Sequence, residues 1–165
     1  MPRRWRWGMS KLRRREEGSM TVEFAILMPL FLLLVFGIVD FGHAFYIRHL
    51  ITNASREGAR YGAKFQTDNL GAHIIPNQLN PSINNYILNT SAQNGGNGGW
   101  GLSSMLPADA NPQVTPGGAG YTSGLAGQDV TVTITARKNW FVLGLLIPTL
   151  GSYKDLSVTT DMKVE

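Results

Sequence analysis

The chain of 165 residues has no cysteine. That excludes a disulfide framework and a thiolate metal site, and it carries no information on the redox compartment. Positive charge is missing where a folded nucleic-acid reader would need it. Between Gln66 and Gln128 there is no Lys or Arg, and Asp68 and Asp109 are the only acids. This uncharged middle is instead rich in Gly, Asn, Ser and Pro, as loop-bearing extracytoplasmic sequence is. A nucleic-acid partner is therefore not expected. Catalytic signals are scarce as well. His43, His49 and His73 show no metal-ligand spacing, and there is no nucleophile elbow, P-loop or carboxylate pair. Gly96, Gly98 and Gly101 fit G-x-G-x-x-G, but no strand precedes them and no helical pattern follows, as a dinucleotide site requires. No enzymatic activity, catalytic residue, metal or cofactor is expected.

What the chain does have is segregated charge and one long apolar run. Eleven of its fifteen Lys and Arg lie before residue 66, seven of them in the head from Met1 to Gly18, among Trp5 and Trp7. From Phe24 to Val39 sixteen residues carry no charge. A bilayer asks for ~20 apolar residues, and Val22 on one side with Phe41 to Ile47 on the other make up the difference through tilt and snorkelling. A basic head ahead of such a run stays cytoplasmic under the positive-inside bias. Pro29 lies within the run and removes one backbone hydrogen bond, which predicts a kink or loosening there.

Glu23 stands at the mouth of this run. It reads either as a helix-end acid that complements the dipole or as a membrane-boundary carboxylate kept for function. The surrounding order is Gly18, then Ser19-Met-Thr-Val, then Glu23-Phe24, then the apolar run. In this it resembles the prepilin class, and within it the Flp/Tad pilus proteins. The resemblance implies cleavage between Gly18 and Ser19 by a prepilin peptidase, with Glu23 and Phe24 as part of the processing site. It also implies that Glu23 pairs with the free amine of a neighbouring subunit during assembly. A competing secretory signal exists: Gly42-His43-Ala44 carries small residues at the two positions a signal peptidase reads. Glu23, Pro29, Asp40 and Phe41 speak against it.

Beyond Asp40 the pattern stays helical. Ile47, Leu50, Ala54, Gly58, Tyr61 and Phe65 make one face, and His49, Asn53, Arg56, Arg60 and Lys64 the opposite one. Ala54, Gly58 and Gly62 follow at four-residue steps, so another element can approach closely there. One helix from Thr21 to Phe65 would be ~65 Å long, more than a membrane's thickness. The section Asn53 to Arg60, Asn-Ala-Ser-Arg-Glu-Gly-Ala-Arg, is similar to the TadE-like family of minor pseudopilins. That resemblance covers residues 18 to 65 and returns at the C-terminus.

The remainder reads as short elements between Gly- and Pro-rich connections. A helix capped by Thr67 or Asp68 is expected to Ile75, and another from Pro81 to Ala92 with Asn80 as its cap. A short strand is expected around Gln113 to Thr115. Val130 to Ala136 alternates, as do Leu156, Val158, Met162 and Val164 with Thr160 in the apolar register, which predicts an antiparallel pair. Between them Phe141 to Ile147 is apolar enough to pack under the sheet or touch the membrane; burial is the expectation, since an exposed version would be a binding patch. The whole is an α+β, pilin-like chain. It has a basic cytoplasmic leader (1–18), a transmembrane helix (19–47), an amphipathic continuation (48–66) and an extracytoplasmic domain (67–165). The resemblance implies a single-pass inner-membrane protein, a substrate of prepilin peptidase, whose partners are other pilin-like subunits and the Tad assembly machinery. The alternatives are an envelope-anchored binding subunit that stays out of the filament, and a secreted protein cut after Ala44.

Overall fold

The computed structural model describes the chain from Ser10 onward, and its side chains from Gly18. The arginines and tryptophans of the head before Ser10, and the leader's other basic side chains, lie outside the described residues. One helix, α1 (Ser10–Ala63, 54 residues), runs unbroken through Pro29. At 1.5 Å per residue it is ~80 Å long. Its first part is bare: from Gly18 to Val39 every residue is exposed except Val35 and Gly37, which are half-buried. Its second part is covered by the domain.

The covered face is the expected one turned slightly about the helix axis. Ile47, Ile51, Ala54, Ser55, Gly58 and Gly62 are buried, while Leu50 and Tyr61 are half-buried. Phe65 falls beyond the helix end, is exposed and stacks on His73 with ring centroids 4.5 Å apart. The shift has a packing cause. Small residues line the buried stripe, so bulky side chains from other elements come down onto the helix there. A Cβ on Gly58 would collide with the Ile87 side chain, and one on Gly62 would lie 2.6 Å from Ile83 Cδ1.

No helix forms after Thr67. The Asp68 carboxylate accepts from the N–H groups of Leu70 and Ala72, both at 2.8 Å, and Gly71 takes a left-handed φ of 82°. Asp with a following Gly builds a turn more readily than a helix start. After a 3-10 turn (Pro76–Gln78), α2 (Ile83–Leu88) is capped by Ser82 rather than Asn80. It stops four residues short of Ala92. Past Asn89 the polar side chains satisfy the backbone in other ways, with Asn94 Nδ2 donating to the carbonyls of Asn85 and Gly98. The one-turn helix α3 (Leu102–Met105) follows.

A three-stranded antiparallel sheet in the order β1 (Gln113–Gly117), β2 (Asp129–Asn139), β3 (Tyr153–Lys163) closes the domain. The short helix α4 (Ala119–Ser123) joins β1 to β2. β2 and β3 pair over their whole length, from Asp129 opposite Lys163 to Asn139 opposite Tyr153. Val130, Val132, Ile134 and Ala136 face the helix and form the core with Ile51, Ala54, Ile83 and Ile87. The outer face is polar, with Thr133 bonded to Thr159 and Thr135 to Ser157, the division usual in an antiparallel sheet with one wet side. Thr160, which shares the apolar register, meets the buried Ser55 hydroxyl at 2.8 Å.

The β2–β3 connection departs from expectation. It contains α5 (Leu143–Leu146) and a 3-10 turn (Pro148–Leu150), yet only Leu143 is buried. Phe141, Leu145, Leu146, Ile147 and Leu150 are all exposed. The sheet is already filled from the other side by α1, which leaves this loop nothing to pack under.

Candidate membrane-anchoring and processing segment

Gly18, Ser19, Glu23 and Phe24 lie on the exposed part of α1. Successive helical residues turn by about 100°, so Ser19 and Glu23 share a face one turn apart, while Gly18 lies off that face. A side chain built on Gly18 would meet nothing within 4 Å. Every residue that follows is exposed as far as Leu34, and the helix from Gly18 to Ala63 is long and apolar enough to cross a membrane. Ala54, Gly58 and Gly62 lie far along the same helix; within this chain the space above the two glycines is taken by Ile83, Ile87, Val130 and Val132, and Ala54 is fully buried. They and the Gly18–Phe24 segment are thus at opposite ends of the covered and bare parts.

The junction between those parts is a buried ion pair that the sequence reading passed over. Asp40 and Lys138 are both fully buried, with Lys138 Nζ 3.1 Å from Asp40 Oδ1. The same carboxylate accepts from the backbone N–H of Phe141 (2.9 Å), Val142 (3.1 Å) and Leu143 (3.1 Å), which satisfies the start of α5. Lys138 also donates to the Asn139 carbonyl, and its ammonium sits 4.5 Å from the centre of the Phe141 ring. A buried charge needs a partner and hydrogen bonds; here each ion has both. Two signals pointed to it. Asp40 is the first charge after the apolar run, and Lys138 occupies an inward position in the alternation of β2.

Further along α1, Glu57 accepts from Arg60 Nε and Nη2 (3.1 and 2.9 Å) and from the Tyr86 hydroxyl (3.0 Å). Tyr86 stacks flat on Tyr61, with centroids 4.0 Å apart. Hydrogen bonding from Arg60 holds the Glu57 carboxyl below its ordinary value; partial burial works against this and the Tyr86 hydroxyl adds to it. Burial raises the Tyr61 and Tyr86 hydroxyls. These groups tie α2 to α1. Among the described residues no cluster of three or more His, Asp or Glu has a metal-holding arrangement.

No curated protein and no solved structure matches the chain. A family model described as TadE-like protein matches residues 18–60, which spans Gly18, Ser19, Glu23 and Phe24, the apolar run and most of the covered part of the helix. Over residues 18–60, carried on α1, this chain is therefore similar to the TadE-like family.

Proposed function

We propose that this chain is a membrane-anchored minor pseudopilin. In this reading a prepilin peptidase cuts it between Gly18 and Ser19, and it acts in assembly of a Tad/Flp-type adhesive pilus. The TadE-like match implies a role in a Tad pilus-related system, and that family is structural rather than catalytic. The observation that carries the finer reading is that the match begins at Gly18, five residues before Glu23, the one acid between Gly18 and Val39 on a bare apolar stretch of helix. Cleavage there frees a cationic amine on Ser19, one helical turn from Glu23. A carboxylate drawn into apolar surroundings is costly unless paired. In a bundle of such helices the amine of a neighbouring subunit supplies the pairing charge. The head stays cytoplasmic under the positive-inside bias, and the α+β domain faces the extracytoplasmic side of the inner membrane.

The ion pair at the junction weighs against a secreted protein cut after Ala44. That cut would remove Asp40 and leave Lys138 buried without its carboxylate, the costly half of a broken pair. The test is the N-terminal mass of the protein taken from its native envelope. A chain beginning at Ser19 is expected; one retaining Met1 to Gly18, or one beginning at Phe45, overturns the reading. The variant Glu23→Gln is expected to remain in the membrane and assemble poorly. Isolated filaments that lack the chain would point instead to an anchored binding subunit that stays outside the filament.

A further inference from the structure

We propose that the Trp140–Gly151 loop is a second membrane element, inserted among phospholipid acyl chains in the leaflet on the domain's side, against α1. The proposal rests on the reading of α1 as a bilayer-spanning anchor.

Depth carries the argument. The loop does not stop at the junction; it folds back along the bare helix. Leu143, Ile147 and Leu150 line one apolar groove of about 780 Å³ together with Leu33, Leu34 and Ile38 of α1. Leu33 lies seven residues before Asp40, or ~10 Å nearer the membrane centre along the helix. If the hydrocarbon ended below the loop, only Phe24 to Leu32 would remain to cross it. Nine residues span ~14 Å, under half of the ~30 Å core. If the loop lies within the hydrocarbon, the span runs on from Phe24 to Phe41, at ~27 Å, which matches. A bilayer that α1 crosses therefore has to include the loop.

The loop has the chemistry for that place. From Asn139 to Tyr153 there is no charged residue. Leu145 is 85% exposed and Phe141 62%, a display that water penalises and lipid rewards. Irregular backbone at this depth must satisfy its own polar groups. Apart from Gly144 and Thr149, every N–H from Trp140 to Gly151 has an acceptor: Asp40 serves the entry, and loop carbonyls together with Ser152 serve the rest. Where the strands leave the loop, the Arg137 guanidinium lies 3.9 Å over the Tyr153 ring and Lys154 is exposed. Aromatic and basic side chains of this kind sit at headgroup level. A helix of another copy could cover the same face, but at this depth lipid is the solvent and needs no partner to be recruited.

The full chain is free of cysteine, so single cysteines can be labelled with an environment-sensitive fluorophore. Leu145→Cys reports the loop, Leu30→Cys the helix and Asn97→Cys the glycine-rich loop after α2; all three positions are exposed. The protein is reconstituted in phosphatidylcholine–phosphatidylglycerol vesicles, with aqueous iodide or nitroxide-labelled lipid as quencher. The Leu145 and Leu30 probes are expected to lose iodide quenching and be quenched by nitroxide lipid, with Asn97 the reverse. A Leu145 probe open to iodide while Leu30 is closed overturns the loop proposal alone. A Leu145 probe closed to both quenchers means that protein covers it, and also overturns the proposal. A Leu30 probe open to iodide overturns the anchoring reading and this one with it.

Discussion

A carboxylate that gives up water must replace it, and Asp40 does so with one ammonium and three backbone N–H groups. Lys138 is less well provided for, since its other polar contact is the adjacent Asn139 carbonyl. The two single substitutions should therefore differ. Asp40→Ala strands a buried ammonium and uncaps α5, and should cost ~3–5 kcal/mol. Lys138→Met leaves the carboxylate its backbone donors and should cost less. The double variant should recover part of the Asp40→Ala loss. Chemical denaturation in detergent micelles measures all three, and losses that simply add would contradict the pairing. The pair was only half legible in the sequence. Its partners are 98 positions apart, and no local pattern reports that the end of β2 lies against the end of the apolar run. Glu23, by contrast, stood out because its neighbours on one side are a glycine-led motif and on the other a charge-free run.

At the scale of elements, periodicity foretold the long ones. The alternation of β2 and the antiparallel partner β3 were plain because each buries one face against a single helix. α2 was legible though expected to run longer; the four- and five-residue helices α3, α4 and α5 were not, because pieces this short do not hold themselves together. α5 exists where a tertiary contact supplies the acceptor, the Asp40 carboxylate, whereas α2 carries its own local cap in Ser82. The Phe141–Ile147 segment misled for a related reason: its apolarity was clear, but the sheet face it would have covered was already taken by α1. The attachment of α2 gives a pH test. The Glu57 carboxyl titrates lower in the folded chain than its ordinary 4.5. Its contribution is thus complete above that value and fades as pH falls through the lower, folded one. Thermal unfolding followed from pH 7 to 3 should show a small acid-side loss in the parent chain. Glu57→Gln should begin less stable and change less over the same interval, and an identical acid limb in both would assign the loss to other groups.

For the molecule as a whole, α1 is both a bare apolar rod and a core element. Its far half supplies one wall of the domain, so the domain is not a separable cap on a stalk. A chain begun at Phe45 keeps Ile47, Ile51 and Ala54 but loses Asp40. A chain begun at Val39 keeps both sets. The shorter chain should show the lower denaturation midpoint, by an amount comparable to the Asp40→Ala loss, and equal midpoints would remove the junction from the account of stability. The unbroken helix has a further mechanical result. With the loop pinned to the helix through Asp40 and the sheet laid along the next turns, nothing between the bare part of the helix and the sheet is free to swivel. If α1 anchors the chain as proposed, any roll of its bare part about its own axis must swing the sheet's polar outer face to a new compass bearing over the membrane, so the packing of anchors would itself decide which way each domain looks.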